Sequence, residues 1–390
     1  CLPRMYKFNE LSYEPPVAKM SSEKSIQSKI YSRNSIAQNI MSDIKGGRIK
    51  TSFLLSYHHN PVYSNPDVRL SARVLANEKL IPFHVAVDSY LNETAVYADI
   101  FLPASTYLES WDIFSSPSYT MIPYITLMQP IVKPLGQSLP FYEICSELAN
   151  RIGGGMEKHF PFSRIENYIQ KLISNIEHLK SAGGLDYLKD NGVWYEKAAL
   201  PRYKKYEKEG FNTPSGKIEI YSRELEAAGF PPLPFFQAIS KHQQLKEDEF
   251  ILITFQNNLQ NQNTTPNSMW LAEISHDNPV WINKRVAKRM GIEWGDIIEV
   301  SSPIGRIKTR AHVTNGINPK CIAICDGHGH WAYGRIARAE LFRSRDPNTK
   351  LIWWARTGNG SHQNYLIPIS SDPIGGGQAW MDTKVKIRKI

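Results

Sequence analysis

His328 and His330 alternate with glycines in GHGHWAYG at positions 327–334, and Cys321 and Cys325 stand just upstream. Imidazoles and thiolates are the ligands that zinc and other borderline metals take, so this cluster is the first candidate for chemistry. Its spacing argues against a shared ion. Both cysteines fall in PKCIAICDG, an apolar run with strand character, and residues four apart in a strand lie roughly 13 Å from each other. One tetrahedral ion cannot bridge that distance. Two thiols on one buried strand face is the preferred reading, and no metal ligand is assigned.

Nucleophilic catalysis has no better footing. Ser361 precedes His362 in NGSHQN, but adjacent side chains seldom face each other as nucleophile and base must. Neither a Gly-x-Ser-x-Gly elbow nor a phosphate-binding P-loop occurs. The pairs Glu93 with Asp99 and Glu109 with Asp112 are available for acid–base work, and acids at strand ends also serve as caps or ribose acceptors. Neutral amides and hydroxyls crowd three tracts, QNNLQNQNTTPNS at 256–268, GNGSHQN at 358–364 and ISSDPIGGGQ at 369–378. These are either solvated loops or the lining of a site for a heteroaromatic ligand carrying a diphosphate. Sequence pattern leaves both open.

The elements that must carry these residues follow from periodicity. TSFLLSY (51–57) reads as a buried strand, and HHNPVYSNP (58–66) as a loop with two Asn-Pro steps. DVRLSARVLANE (67–78) repeats Val68, Ala72 and Leu75 on one helical face, with Asn65 as its cap and Pro66 in its first turn. IPFHVAVD (81–88) and ADIFLPAS (98–105) hold two more strands, giving a strand–helix–strand unit of a parallel sheet. Ligands of such sheets bind beyond the strands' carboxyl ends, which here lead into residues 58–66, 88–94 and 103–109. Their side chains are rich in hydrogen-bonding groups, and none carries the Gly-x-Gly-x-x-Gly pattern of a nicotinamide fold. LPFYEICSELANRI (139–152) predicts an amphipathic helix with Cys145 in its apolar stripe, stopped by Gly153, Gly154 and Gly155. Residues 1–45 are irregular and Ser-rich between Ser21 and Ser42. Residues 156–245 are helical and polar by turns, ending in the Pro-rich GFPPLPFF (229–236). After that, FILITF (250–255), a short helix KRVAKRM between Asn283 and Gly291, the hairpin DIIEVSS–PIG–RIKTRAHVT and the strand PKCIAICDG predict a compact β-barrel of about 140 residues.

Composition bounds the rest. An apolar fraction of 42% and a charged fraction of 21% in 390 residues describe a globular chain with room for two domains. The net charge of +9 suits an anionic ligand or surface. The densest basic cluster (Arg202, Lys204, Lys205, Lys208) is interleaved with Glu207 and Glu209, so it reads as solvated surface, and no nucleic-acid partner is expected. No apolar run approaches the roughly 20 residues that span a bilayer. Four cysteines are too few for a disulfide scaffold of this size. The chain opens with Cys1, without a recognisable signal segment, which predicts a processed or partial polypeptide.

Three segments together resemble the molybdopterin oxidoreductase (dimethyl sulfoxide reductase) family: HNPVYSNPD (59–67), VAVDSYLNETAVYADIFLPASTYLES (85–110) and NPVWINKRVAKRMGIEWGDIIEVSSPIGRIKTRAHVTNGINP (278–319). The likeness covers most of residues 50–390. Within the family, the Gly-His-Trp step and the ending GNGSHQNYLIPISSDPIGGGQAW look most like subunits acting on polysulfide, thiosulfate, tetrathionate or arsenate. The resemblance implies an α/β fold, a Rossmann-like parallel-sheet region over 1–245 followed by a mostly-β double-psi barrel over 246–390. It implies a bis(molybdopterin guanine dinucleotide) cofactor with molybdenum. Asn60, Pro61 and Asp88 match loops that approach a guanosine end, with Thr94 and Asp99 in the adjoining element. Thr254, Gln256 and Asn261 begin the barrel segment that faces the pterins. Asn364 and Asp372 lie in the stretch that returns to the cofactor, and His330 and Trp331 are candidates to line the pterin or substrate pocket, with packing of Trp331 and Tyr333 against the barrel as the alternative. Glu109 holds its own loop in the alternative reading.

The family's N-terminal Cys quartet for a 4Fe-4S cluster and its protein ligand to molybdenum have no counterpart in this sequence. The expectation is therefore the C-terminal portion of a subunit roughly twice as long, with its catalytic ligand upstream and this chain alone inactive. An iron–sulfur electron-transfer subunit, a membrane-anchor subunit reactive with quinone, and a periplasmic or outer-face location are implied by the same resemblance. A formate dehydrogenase or nitrate reductase-type member, or a non-catalytic nucleotide-binding module, are the rival readings.

Overall fold

A computed structural model describes residues 37–116, 120, 122–162, 164–197, 203–261, 264–334 and 360–390. Cys1, Arg202 and most of the Ser-rich stretch lie outside these residues. The chain divides into two compact units, one containing residues 102–222 and the other residues 21–101 with 223–390. This cut by compactness differs in kind from the 1–245 and 246–390 partition, which follows motif order.

In the larger unit, strand β1 (Leu54–Tyr57) pairs in parallel with β2 (His84–Asp88), Leu54 lying opposite His84. β3 (Ile100–Pro103), through which the unit boundary runs, extends the sheet in the order β1-β2-β3. Every residue of β2 is buried, as expected of a central strand covered on both faces. The helix Val68–Leu75 connects β1 to β2, and its cap is Asp67 rather than Asn65. Asp67 has left-handed backbone (φ 47) and its carboxylate accepts the Leu70 N–H. The Pro61 side of the loop instead forms its own short helix, Pro61–Ser64. Residues 37–45, expected to be irregular, are helical over Ala37–Asn39 and Ile40–Lys45. Met41 and Ile44, three apart and so on one face, pack against Val62, Leu70, Val74 and Ile81.

The smaller unit holds an antiparallel sheet that the sequence reading did not include. β4 (Asp112–Ser115), β5 (Tyr124–Met128) and β6 (Val193–Tyr195) pair in the order β4-β5-β6. β5 alternates half-buried and buried residues, which sends Ile125 and Leu127 into a core shared with Ile169, Leu179, Leu188 and Trp194. The predicted helix is present as Phe141–Ile152 and ends at Gly153 (φ 66). Its buried positions are Ile144, Ser146 and Ala149. Leu148 and Ile152, placed on the apolar stripe by periodicity, are exposed, and Cys145 is half-buried. Helix Phe141–Ile152 therefore packs along a narrower seam than its apolar residues offer.

The barrel is closed, in the cyclic order β10-β8-β11-β7-β12-β9. Its strands are β7 (Glu249–Phe255), β8 (Val280–Asn283), β9 (Ile297–Ser301), β10 (Arg306–Thr314), β11 (Cys321–Cys325) and β12 (Thr383–Lys389). β10–β8 and β11–β7 are parallel, while the other neighbours run antiparallel. This mixed, closed arrangement is the double-psi type of barrel. Asn283 caps the helix Lys284–Met290 through the Arg285 N–H, and Gly291 (φ 64) stops it, as the sequence predicts. β12 lies outside the strands that periodicity predicts, and its TKVKIRK sends Thr383, Val385 and Ile387 inward at period two.

Leu252, Ile282, Ile298, Ile322 and Ile324 are fully buried inside the barrel. Replacing Leu252 with Ala should cost about 2–5 kcal/mol by lost transfer energy and a residual cavity. Chemical denaturation measures it. A loss well under about 1 kcal/mol would mean that the barrel interior is not close-packed at this position.

Candidate functional site

One buried carboxylate ties the loops of the larger unit together. Glu93, fully buried, accepts four hydrogen bonds. Asn60 Nδ2 donates to its Oε2 at 2.8 Å. His330 Nδ1 (3.1 Å), the Trp331 N–H (2.9 Å) and the Ala332 N–H (3.0 Å) all reach Oε1. Asn60 also accepts the Thr94 hydroxyl (2.8 Å) and the Thr94 N–H (3.1 Å) on Oδ1. The loop after β1, the loop after β2 and the loop after β11 thus share one anion. Burial pushes the Glu93 pKa up, but the His330 contact, the Asn60 amide and the Ala332 N–H outweigh it and bring the value down to about 2.

Glycine makes the third loop possible. Gly329 is left-handed (φ 76), and a Cβ on it would lie 2.5 Å from the His362 nitrogen. Gly334 (φ 62) donates its N–H to Leu91 O at 2.8 Å, and a Cβ there would overlap the Asn267 side chain. The close approach that these glycines permit is made to protein.

Tyr63 is the second organising group. Its ring is sandwiched between His330 (centroids 3.5 Å apart, 13° between planes) and His362 (3.8 Å, 6°). Its hydroxyl donates to His328 O at 2.8 Å. Its carbonyl accepts His362 Nε2 at 2.5 Å and Asn364 Nδ2 at 3.0 Å. A carbonyl can only accept, so Nε2 carries the His362 proton. Burial holds the His362 pKa down to about 4, so the ring is neutral near neutral pH and its Nδ1 is a bare acceptor.

A cleft of about 370 Å³ opens beside this stack, lined by Tyr63, Ser64, Thr254, Asp326, Gly327, His362, Gln363, Asn364, Trp380 and Met381. Three buried atoms on its walls have no hydrogen-bond partner among the described residues: His362 Nδ1, Gln363 Oε1 and Asn364 Oδ1. All three stand as acceptors on the cleft wall. Asp326 adds a half-buried carboxyl whose pKa burial pushes up. The cleft therefore presents a row of unmet acceptors beside the Thr254 hydroxyl and the Trp380 ring.

The sequence candidates fall into three groups. Asn60, Pro61, Thr94, His330 and Trp331 meet around Glu93, or on the helix that Asn60 begins. Asn364 and Thr254 line the cleft. Asp88 and Asp99 serve strand ends. Asp88 accepts the Ser89 N–H (2.7 Å) and Asn92 Nδ2 (2.8 Å), and contacts His58 Nδ1 at 3.2 Å, while Asp99 accepts the His84 N–H at 2.7 Å. Gln256, Asn261 and Asp372 are exposed. Asn261 closes a turn with Thr264 and Thr265, and Asp372 caps the Ile374 and Gly375 N–H groups. Glu109 holds its own loop through Thr106 and Leu135. Ser361 and His362 turn to different partners, Lys308 O and Tyr63 O.

Tyr63, Gln363 and Asn278 were not singled out by sequence. Asn278 binds Cys325 O, Ser361 O and the Ser361 N–H, and a Cβ on Gly360 would overlap it. Asn278 begins the NPVW motif, which was the only available signal.

Comparison with known proteins bears on the whole chain. Residues 25–151 match the molybdopterin oxidoreductase model and residues 250–383 the molydopterin dinucleotide binding domain model. The thiosulfate reductase molybdopterin-containing subunit of Salmonella typhimurium is 27% identical, covering 82% of this chain and 41% of its own length. Acetylene hydratase of Syntrophotalea acetylenica is 28% identical over 73% of this chain and 37% of its own. The arsenate respiratory reductase molybdopterin-containing subunit of Chrysiogenes arsenatis is 25% identical over 86% and 45%. This chain thus spans somewhat less than half the length of the curated relatives it matches. Among solved structures, acetylene hydratase from Pelobacter acetylenicus superposes with a TM-score of 0.69 at 22% identity, over 92% of this chain and 47% of that one, and shows a shared fold.

Glu93 generates a pH prediction. Its folded pKa is about 2 against an ordinary 4.5, so its contribution to stability is fully present above 4.5 and is lost as pH falls toward 2. Glu93→Gln should destabilise the fold by about 3 kcal/mol at pH 7. The melting-temperature gap between wild type and variant should narrow across pH 4.5 to 2. A gap that does not change with pH would show that Glu93 is not held as the anion.

Proposed function

We propose that this chain, which belongs to the molybdopterin oxidoreductase family, is the cofactor-binding portion of a catalytic subunit that carries bis(molybdopterin guanine dinucleotide) with molybdenum and reduces a sulfur or arsenic oxyanion, or polysulfide, in anaerobic respiration. The observation that carries the cofactor reading is the row of partnerless buried acceptors His362 Nδ1, Gln363 Oε1 and Asn364 Oδ1. A buried acceptor left unmet costs about 1–3 kcal/mol. Guanine and pterin share a 2-aminopyrimidinone ring whose edge presents adjacent N–H groups, which is the complement these atoms require. The residues present therefore fit the group.

In this reading His362, Gln363 and Asn364 accept the ring-edge N–H groups, and the raised-pKa carboxyl of Asp326 is a further acceptor. Thr254 contributes a hydroxyl to the same wall. Tyr63 positions the row, since its ring and carbonyl together set the His362 plane and tautomer. Asn60, Pro61, Asp88, Thr94 and Asp99 belong to the guanosine-facing loops of the 1–245 region, and His330 and Trp331 to the pocket wall. Gln256, Asn261 and Asp372 join the cofactor site only if their exposed loops meet it. When bound, the molybdenum supplies two-electron chemistry, oxygen-atom transfer or cleavage of a sulfur bond. The ligand completing its coordination and a 4Fe-4S cluster are proposed for sequence upstream of this chain.

The names of relatives support the substrate class, thiosulfate and arsenate among them, while the hydratase shows that relatives differ in reaction. An iron–sulfur subunit and a quinone-reactive membrane anchor are the proposed partners, at the outer face of the cytoplasmic membrane. No helix among the described residues is long and apolar enough to cross a membrane.

Protein produced anaerobically in cells that make the cofactor should release GMP and molybdenum on acid denaturation, read by mass spectrometry. Gln363→Met, which keeps side-chain volume and removes one acceptor, should lower the retained GMP about tenfold with an unchanged melting temperature. Wild-type protein, assembled within its natural polypeptide, that releases neither GMP nor molybdenum would sink the reading.

A further inference from the structure

A second cleft, of about 640 Å³, lies on the outer face of the barrel where the β9–β10 turn meets β12 and the helix Val68–Leu75. Strand register arranges its charges in rows. Ser301 of β9 stands between Arg306 of β10 and Lys386 of β12, and two residues along, Glu299 stands between Lys308 and Arg388. Adjacent strands are about 4.8 Å apart, so the two cations of each row flank the central residue at reach. The second row is neutralised, because Arg388 Nε binds Glu299 at 2.9 Å. The first row has no central acid. Lys386 turns to Asp248 at 2.8 Å, and Arg306 has no carboxylate partner among the described residues.

Arg69 brings another uncommitted guanidinium. Its Cζ lies 5.5 Å over the Tyr365 ring, and its Nη1 lies 3.2 Å from where a Cβ on Gly305 would be. No carboxylate among the described residues answers it either. Gly305 thus lets the Arg69 fork lie against the turn that precedes Arg306. Two guanidinium groups and Ser301 line one cleft, in which the two lining carboxylates, Asp248 and Glu299, are already paired with Lys386 and Arg388. Like charges held together this way raise the energy of the folded chain unless an anion joins them.

We propose that this cleft binds a phosphate-type oxyanion, with Arg69 and Arg306 as its two forks and Ser301 as a hydroxyl donor. Arginine presents paired N–H groups matched to tetrahedral oxyanions, which lysine does not. The volume falls in the range of small-molecule sites, so the oxyanion is either free or carried on a small organic phosphate. The site is separate from the acceptor-lined cleft and does not depend on the cofactor reading, since Gln363 and Asn364 line that cleft whereas Tyr365 faces Arg69.

Titration calorimetry on the protein assembled within its natural polypeptide, in low-salt chloride buffer, with inorganic phosphate and with ribose 5-phosphate as separate probes, tests this. Binding of at least one probe is expected, weakened about tenfold by Arg306→Gln and by Arg69→Gln, each checked for an unchanged melting temperature. Arg310→Gln, on the same strand but outside the cleft, should leave binding within about twofold. Tighter binding of ribose 5-phosphate assigns an organic phosphate, and equal binding assigns the free oxyanion. No binding of either probe, binding that ignores Arg306→Gln, or equal weakening by Arg310→Gln overturns the proposal.

Discussion

A carboxylate with no access to water dominates the larger unit. Glu93 is charged because four donors surround it, and an isolated buried anion would otherwise neutralise itself. The donors come from two separate loops and the carboxylate from a third, so none of the three can move without leaving the charge short of partners. Removing one member of such a set costs more than the pair is worth, because the remaining charge stays buried. The shape of the unit near the strand ends follows from this constraint.

Tyr63 extends the constraint into the neighbouring cleft. Its ring stacks on His330, which touches Glu93, and on His362, which lines the cleft. The tautomer of His362 is set by the Tyr63 carbonyl, so the pattern of acceptors facing the cleft is decided by a residue whose side chain makes no polar contact there. Gly329 and Gly360 are needed for the same reason, since a side chain on either would collide with the 360–362 strand of loop or with Asn278. Pre-organisation here is a matter of backbone carbonyls and stacked rings, which hold polar atoms in place at little entropic cost.

Relatives that share this framework carry names as different as thiosulfate reductase, arsenate respiratory reductase and acetylene hydratase. A common scaffold that carries different chemistries is consistent with that range. The exposed tracts around Gln256, Asn261 and Asp372 are free to differ, because their hydrogen bonds close within their own turns.

Local pattern alone determined much of this chain. Alternation and apolar runs located β1, β2, β3, the β9–β10 hairpin and β11, and the Asn283 and Gly291 signals bounded a helix to the residue. Those features depend on neighbours a few positions away, which sequence displays directly. The strand β12 and the β4-β5-β6 sheet carried the same kind of signal in weaker form. The family motifs identified the chain's relatives. Tertiary structure alone decided which polar residues work together. His330 meets Glu93 across 237 positions, and His362 meets the Tyr63 carbonyl across 299. In sequence, Glu93 looks like any strand-end acid, and Tyr63 like any loop aromatic. Whether a carboxylate is solvated or buried among donors, and whether an imidazole offers a proton or a lone pair, depends on which distant backbone groups surround it once the barrel closes.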